Sequence, residues 1–157
     1  MRAQRLLIAK QIEHLTQMKG YLQYSLQIVS VIFPIPNNDW DNITDKQHES
    51  LAAFRVRFSE FQEHLGKLMR AISIEEELNF DRFGQVLAFM EKINILDDVE
   101  LWTTIREARN SINHEYEDNF EKLTEFFMEL IAFTPKLFEI FQRLGNFAQD
   151  NYKITPH

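Results

Sequence analysis

The segment Arg106-Glu107-Ala108-Arg109-Asn110-Ser111-Ile112-Asn113-His114-Glu115-Tyr116 concentrates side chains that bind anions and move protons. Arginine stays cationic and offers a rigid fork of N–H donors. Histidine is the side-chain type that titrates near neutral pH. On a helical wheel of about 100° per residue, Leu101, Ile105, Ala108 and Ile112 fall in one narrow arc that faces a core. Arg106, Arg109, Asn110, Asn113 and His114 fill a wedge of roughly 140° on the other side. Two arginines three residues apart repel unless an anion lies between them. Asparagine and histidine are also poor helix formers. Such a concentration of local costs points to function. The same residues also suit a solvated charged face, with Arg106 paired to Glu100 and Asn113-His114 at a helix end. The Asn after Arg109 and the Tyr two after His114 favour the functional reading.

Other chemistries find little support. With no Cys there is no thiol nucleophile, disulfide framework or thiolate metal site. Di-iron bundles need Glu-x-x-His, but the residues three before the histidines are Gln11, Asp45, Phe61, Ser111 and Ile154. No metal site and no cofactor are therefore expected. His14 and His64 each precede a Gly and a Lys, but with the wrong spacing for a phosphotransfer histidine. The four glycines are isolated, which excludes a phosphate-cradling loop. Lys and Arg total 17 against 24 Asp and Glu, and the net charge of −7 has the wrong sign for coating nucleic acid non-specifically. Any nucleic-acid contact must be local.

The surrounding chain reads as helix almost everywhere. At 157 residues, with 45% hydrophobic residues, the chain suits a single domain spanning 1–157. From Gln4 to Phe33 the set Ile8, Ile12, Leu15, Leu22, Leu26, Val29 and Phe33 repeats in steps of three and four, until Pro34 and Pro36 stop it. Thr44 and Gln47 form a capping box ahead of Leu51, Phe54, Phe58, Phe61, Leu65, Leu68 and Ile72. A short helix is expected from Phe80, capped by Asn79, to about Asn94, with Phe83, Leu87, Met90 and Ile93 inward. Asp97 and Asp98 open the helix that carries the arginines. Asp118 and Glu121 start a last, Phe-rich helix, kinked or divided at Pro135, and 151–157 reads as a frayed tail. The expected fold is an all-α helical bundle of about five helices, the long ones antiparallel. No apolar run can span a membrane, and no secretory leader is evident, so a cytoplasmic location is expected.

Arg109-Asn110-x-x-x-His114-x-Tyr116 resembles the R-N-x3-H motif of the HEPN superfamily, small helical ribonucleases of prokaryotic defence systems. The His-x-Tyr extension is similar to the HepT toxins, which are encoded beside a minimal nucleotidyltransferase antitoxin. The resemblance covers Leu51 to Leu144, including Phe54-Arg55, Phe58 and Trp102, and reaches Met1 to Asp39 only in their helical character. It implies a HEPN-like bundle and metal-independent RNA cleavage, with the ribose 2′-OH attacking the adjacent phosphate. His114 would then serve as general acid–base. Arg109 would stabilise the developing phosphorane charge, and Asn110 would position His114 or the phosphate. Arg106 and Asn113 would bind substrate. The resemblance further implies a homodimer whose two motifs line one cleft, and Tyr116 as acceptor of AMP from the antitoxin, blocking RNA. Tyr116 packing at a helix end is the alternative for that residue. For the chain as a whole the alternative is a non-catalytic HEPN binding subunit of a nucleotidyltransferase pair, which the acidic run Glu115, Glu117, Asp118 and Glu121 and the long first helix would suit.

Overall fold

A computed structural model describes residues 3–35, 39–112 and 118–155. Its elements are α1 (Ala3–Ser30), a 3-10 turn (Trp40–Asn42), α2 (Asp45–Glu75), α3 (Phe83–Lys92), α4 (Val99–Asn110) and α5 (Phe120–Tyr152). The expected all-α bundle of five helices is what forms, with no strand among the described residues. None of these helices is long and apolar enough to cross a membrane.

The three long helices bury the stripes their sequences lay out. Ile8, Ile12, Leu15, Leu22 and Val29 of α1 are buried, as is every apolar residue of the α2 repeat from Leu51 to Ile72. The capping box holds α2 at its start: the Gln47 amide donates to Thr44 Oγ1 at 3.1 Å, and Gln47 Oε1 accepts from the Thr44 N–H at 2.9 Å. The Phe61 ring meets Phe138 and Phe141 of α5 edge-on, at 5.6 and 5.8 Å between centroids.

Helix direction follows from the cross-links. Gln4 Nε2 donates to the Ala71 carbonyl and Arg57 Nη1 donates to Ser25 Oγ, so α1 runs antiparallel to α2. Trp40 lies beside His48 and stacks on Phe120, near the starts of α2 and α5. At the other end Tyr152 donates to Glu76 at 2.7 Å, just past the end of α2. Thus α2 and α5 are parallel, because α3 and α4 carry the chain back along the bundle before α5 begins. The antiparallel arrangement of long helices therefore holds for α1 alone.

Local boundaries also shift. Helix α3 starts at Phe83 rather than Phe80 and takes Arg82, not Asn79, as its N-cap; the Arg82 N–H is satisfied by Gln85 Oε1 at 3.1 Å. Of the two aspartates only Asp98 caps α4, accepting from the Glu100 N–H at 2.9 Å, while Glu91 Oε2 accepts from the Val99 N–H at 3.0 Å. Asp97 instead pairs with Arg143 at 2.8 Å, and that guanidinium's hydrogen bond holds the Asp97 carboxyl below the usual carboxylate range. Asn119, one residue after Asp118, caps α5 by accepting from the Lys122 N–H. Pro135 does not divide α5, which is one helix from Phe120 to Tyr152 with buried residues on both sides of the proline. The expected fraying at 151 is overturned for the described residues: Tyr152 and Ile154 are buried, with the Arg5 guanidinium 5.0 Å over the Tyr152 ring.

Candidate anion-binding site

One face of α2 and one face of α4 meet in an open pocket of about 380 Å³. Helix α2 supplies Gln62, Glu63, Gly66, Lys67 and Arg70, spaced so that consecutive turns line the same wall. Helix α4 supplies Trp102, Arg106 and Arg109, at i, i+4 and i+7, and α3 closes the end with Phe83. Gly66 permits the close approach of the rings: a Cβ there would lie 3.3 Å from Phe83 Cζ and 3.6 Å from Trp102 Cζ2. The end of α4 is tied to α2 through Arg55, which donates to the Ile112 carbonyl and lies 5.2 Å over the Phe126 ring.

Four cations, Lys67, Arg70, Arg106 and Arg109, face one carboxylate, Glu63, among the described residues lining this pocket. In a protein of net charge −7 that is a strong local reversal of sign. The Arg109 side chain is only 15% exposed and reaches Glu63 at 3.9 Å, the outer edge of an ion pair. Its Nε donates to its neighbour Asn110 across a long 3.4 Å. Arg70 is anchored by donating to the Phe80 carbonyl at 3.1 Å, with its guanidinium 5.7 Å over the Phe83 ring. Lys67 and Arg106 make no hydrogen bond or ion pair among the described residues. The floor is apolar where Trp102 and Phe83 meet, 6.4 Å apart.

Gln62 stands out in this wall. It is 1% exposed, yet neither Oε1 nor Nε2 has a hydrogen-bond partner among the described residues. Buried amides are nearly always paired, since desolvation without a partner is unfavourable.

The structure brings together Arg106 and Arg109 of the expected site residues, but not on an open outer face. Arg109 is partly covered by α2, because on the wheel it lies next to the Ile105 edge of the core arc. Asn110 is the exposed last residue of α4 and does not line the pocket. Helix α4 ends there: the Ser111 N–H and hydroxyl both bond the Ala108 carbonyl, at 3.2 and 2.8 Å. The wheel therefore applies as far as Asn110, and Asn113, His114 and Tyr116 lie outside the described residues.

The sequence pattern does not mark Gln62 or Arg70, reads Phe83 only as an inward residue of the short helix, and sets Gly66 and Lys67 only against a phosphotransfer spacing. A lone Gly and a Gln, four residues apart inside an unbroken Phe/Leu helix and next to cations at i and i+3, were the available signal. Among the described residues no three His, Asp or Glu side chains converge as metal ligands. Compared with family models, curated proteins and solved structures, the chain matches none.

Proposed function

We propose that this chain is an RNA-cleaving toxin of HEPN type, acting as a homodimer and held in check by a minimal nucleotidyltransferase partner. The observation that carries this reading is the cluster of Lys67, Arg70, Arg106 and Arg109 around one pocket in an otherwise acidic protein. Phosphodiester cleavage without a metal needs a cation beside the reacting phosphate and a group that exchanges protons. Arg109, held by burial of its stem and facing a basic pocket, suits the first role. His114, five residues further on in the sequence, suits the second. The ribose 2′-OH attacks the adjacent phosphorus as its proton is removed, the 5′-oxygen leaves with a proton, and a cyclic phosphate remains. Arg106 lines the same pocket and binds the RNA backbone, with Asn110 and Asn113 beside it in sequence. Tyr116 is the residue through which the partner acts, by accepting AMP.

Glu63, 3.9 Å from Arg109, favours a second reading, since a carboxylate competes with phosphate for that guanidinium. On that reading the chain is the non-catalytic binding subunit of the pair. One experiment separates the two. Purified protein is incubated with single-stranded RNA in EDTA and the products are resolved by length and end group. Cleavage leaving a cyclic or 3′ phosphate, lost in His114→Ala and Arg109→Ala, supports the nuclease. RNA left intact by a chain that forms a stable complex with the nucleotidyltransferase supports the binding subunit, and the absence of both cleavage and that complex refutes both. Inducible expression of wild type and His114→Ala, scored for growth, tests toxicity.

A further inference from the structure

We infer that the pocket between α2, α3 and α4 is a nucleotide subsite, in which Lys67, Arg106 and Arg109 hold a phosphate and the Gln62 amide meets the edge of the base. The inference rests on the proposed RNA reading only for the polymer as one source of the nucleotide. A free nucleotide is the other source, and the chemistry of recognition is the same.

The pocket is a composite of unlike surfaces. Its rim is cationic, with Lys67 and Arg106 unengaged among the described residues and Arg109 only loosely paired. Its floor is the apolar junction of Trp102 and Phe83, whose rings pack close against the bare backbone of Gly66. An inorganic anion would use the rim and leave that floor empty. Its volume of about 380 Å³ lies within the range of small-molecule sites, roughly 300–1,000 Å³. A planar base with a phosphate attached uses both parts.

Gln62 decides between a bare anion and a nucleotide. Anchoring an anion calls for donors, and the unpaired Oε1 is an acceptor beside an equally unpaired Nε2. The complement of an amide in that state is an edge carrying one donor and one acceptor side by side. Adenine offers this pair at N6–H and N7, where a glutamine makes two hydrogen bonds at once. A leucine would fill the same space in a helix where Phe58, Phe61, Leu65 and Met69 are buried nearby, so packing does not require an amide there.

The test uses the full chain with three probes: AMP, inorganic phosphate, and a short single-stranded oligoadenylate, each titrated by calorimetry. AMP should bind at least about tenfold more tightly than phosphate, from the added amide and apolar contacts. Gln62→Leu should weaken AMP about tenfold, leave phosphate unchanged, and leave the melting temperature equal or higher. Lys67→Glu should weaken all three probes. An oligoadenylate bound more tightly than AMP, with the same sensitivity to Gln62→Leu, assigns the subsite to RNA. An oligoadenylate no tighter than AMP assigns it to the free nucleotide. Equal affinity for AMP and phosphate, or Gln62→Leu binding AMP as wild type does, overturns the inference. So does a lower melting temperature in Gln62→Leu with AMP affinity intact, which makes the amide structural. His114→Ala keeps AMP binding while losing any cleavage, so the nuclease and the subsite fail separately.

Discussion

Gly66→Ala sets stability against binding at the floor of the pocket. Gly66 lies inside α2, between Asp45 and Glu75, where glycine is less favourable than alanine by about 1 kcal/mol. Against this, the new Cβ would sit 3.3 Å from Phe83 Cζ, so that ring must yield by a few tenths of an ångström. The 3.6 Å approach to Trp102 is ordinary contact. Phe83 is only half-buried and stands at the first turn of a ten-residue helix, so it can move. The net expected gain is about 0.5–1 kcal/mol, a rise of roughly 2–4 °C per kcal/mol in melting temperature for a chain of this size. The same methyl presses on the Phe83 and Trp102 rings that form the floor where a base would rest. Overpacking of about 1 kcal/mol there weakens AMP roughly fivefold. Thermal denaturation followed by circular dichroism and calorimetric titration on the same sample measure both quantities. A higher melting temperature with unchanged AMP affinity would show that the ligand does not use this floor. A fall of several degrees would show that Phe83 is fixed, and the packing argument would fail.

Three further outcomes are expected. Thr44→Ala removes the acceptor for the Gln47 N–H at the start of α2 and should cost about 1 kcal/mol, read by urea denaturation; no change would mean the cap contributes nothing. Burial and the bond to Glu76 raise the Tyr152 pKa well above its ordinary 10.0. The unfolded chain therefore releases that proton first, and stability is intact below pH 10.0 and falls above it. Tyr152→Phe should be less stable at neutral pH by about 1–3 kcal/mol, yet should lose less stability than wild type on going alkaline; parallel pH profiles would contradict this. For RNA binding, each phosphate contact contributes about −0.7 to the slope of log affinity against log salt for single strands. Lys67→Ala should reduce the slope by about that amount, and an unchanged slope would remove Lys67 from the interface.

Periodicity, with caps and prolines to mark the ends, located the five helices and most of their buried residues, because a stripe repeating every three to four residues has one way to leave water. The capping box at Thr44 and Gln47 was equally local, since both partners lie within one turn. Boundaries resting on competition between neighbouring polar residues came out one to three positions away, as with Asn119 over Asp118 and Arg82 over Asn79. Asp97 shows why: its carboxylate serves Arg143, 46 residues away, which no local pattern contains. The same holds for the end of α5, held by Tyr152 reaching Glu76.

The site divides along the same line. Arg106 and Arg109 were legible because their cost is local: like charges on adjacent turns of one short helix. Gln62, Gly66, Lys67 and Arg70 look individually ordinary within α2, a long helix whose apolar stripe accounts for the fold by itself. Only the antiparallel crossing of α2 and α4 sets them opposite the arginines, with Phe83 of α3 closing the end. Sequence by itself determined which faces of the helices seek each other, through burial of apolar surface. The tertiary structure decided which polar residues those contacts bring together, because charges and amides acquire partners across space rather than along the chain.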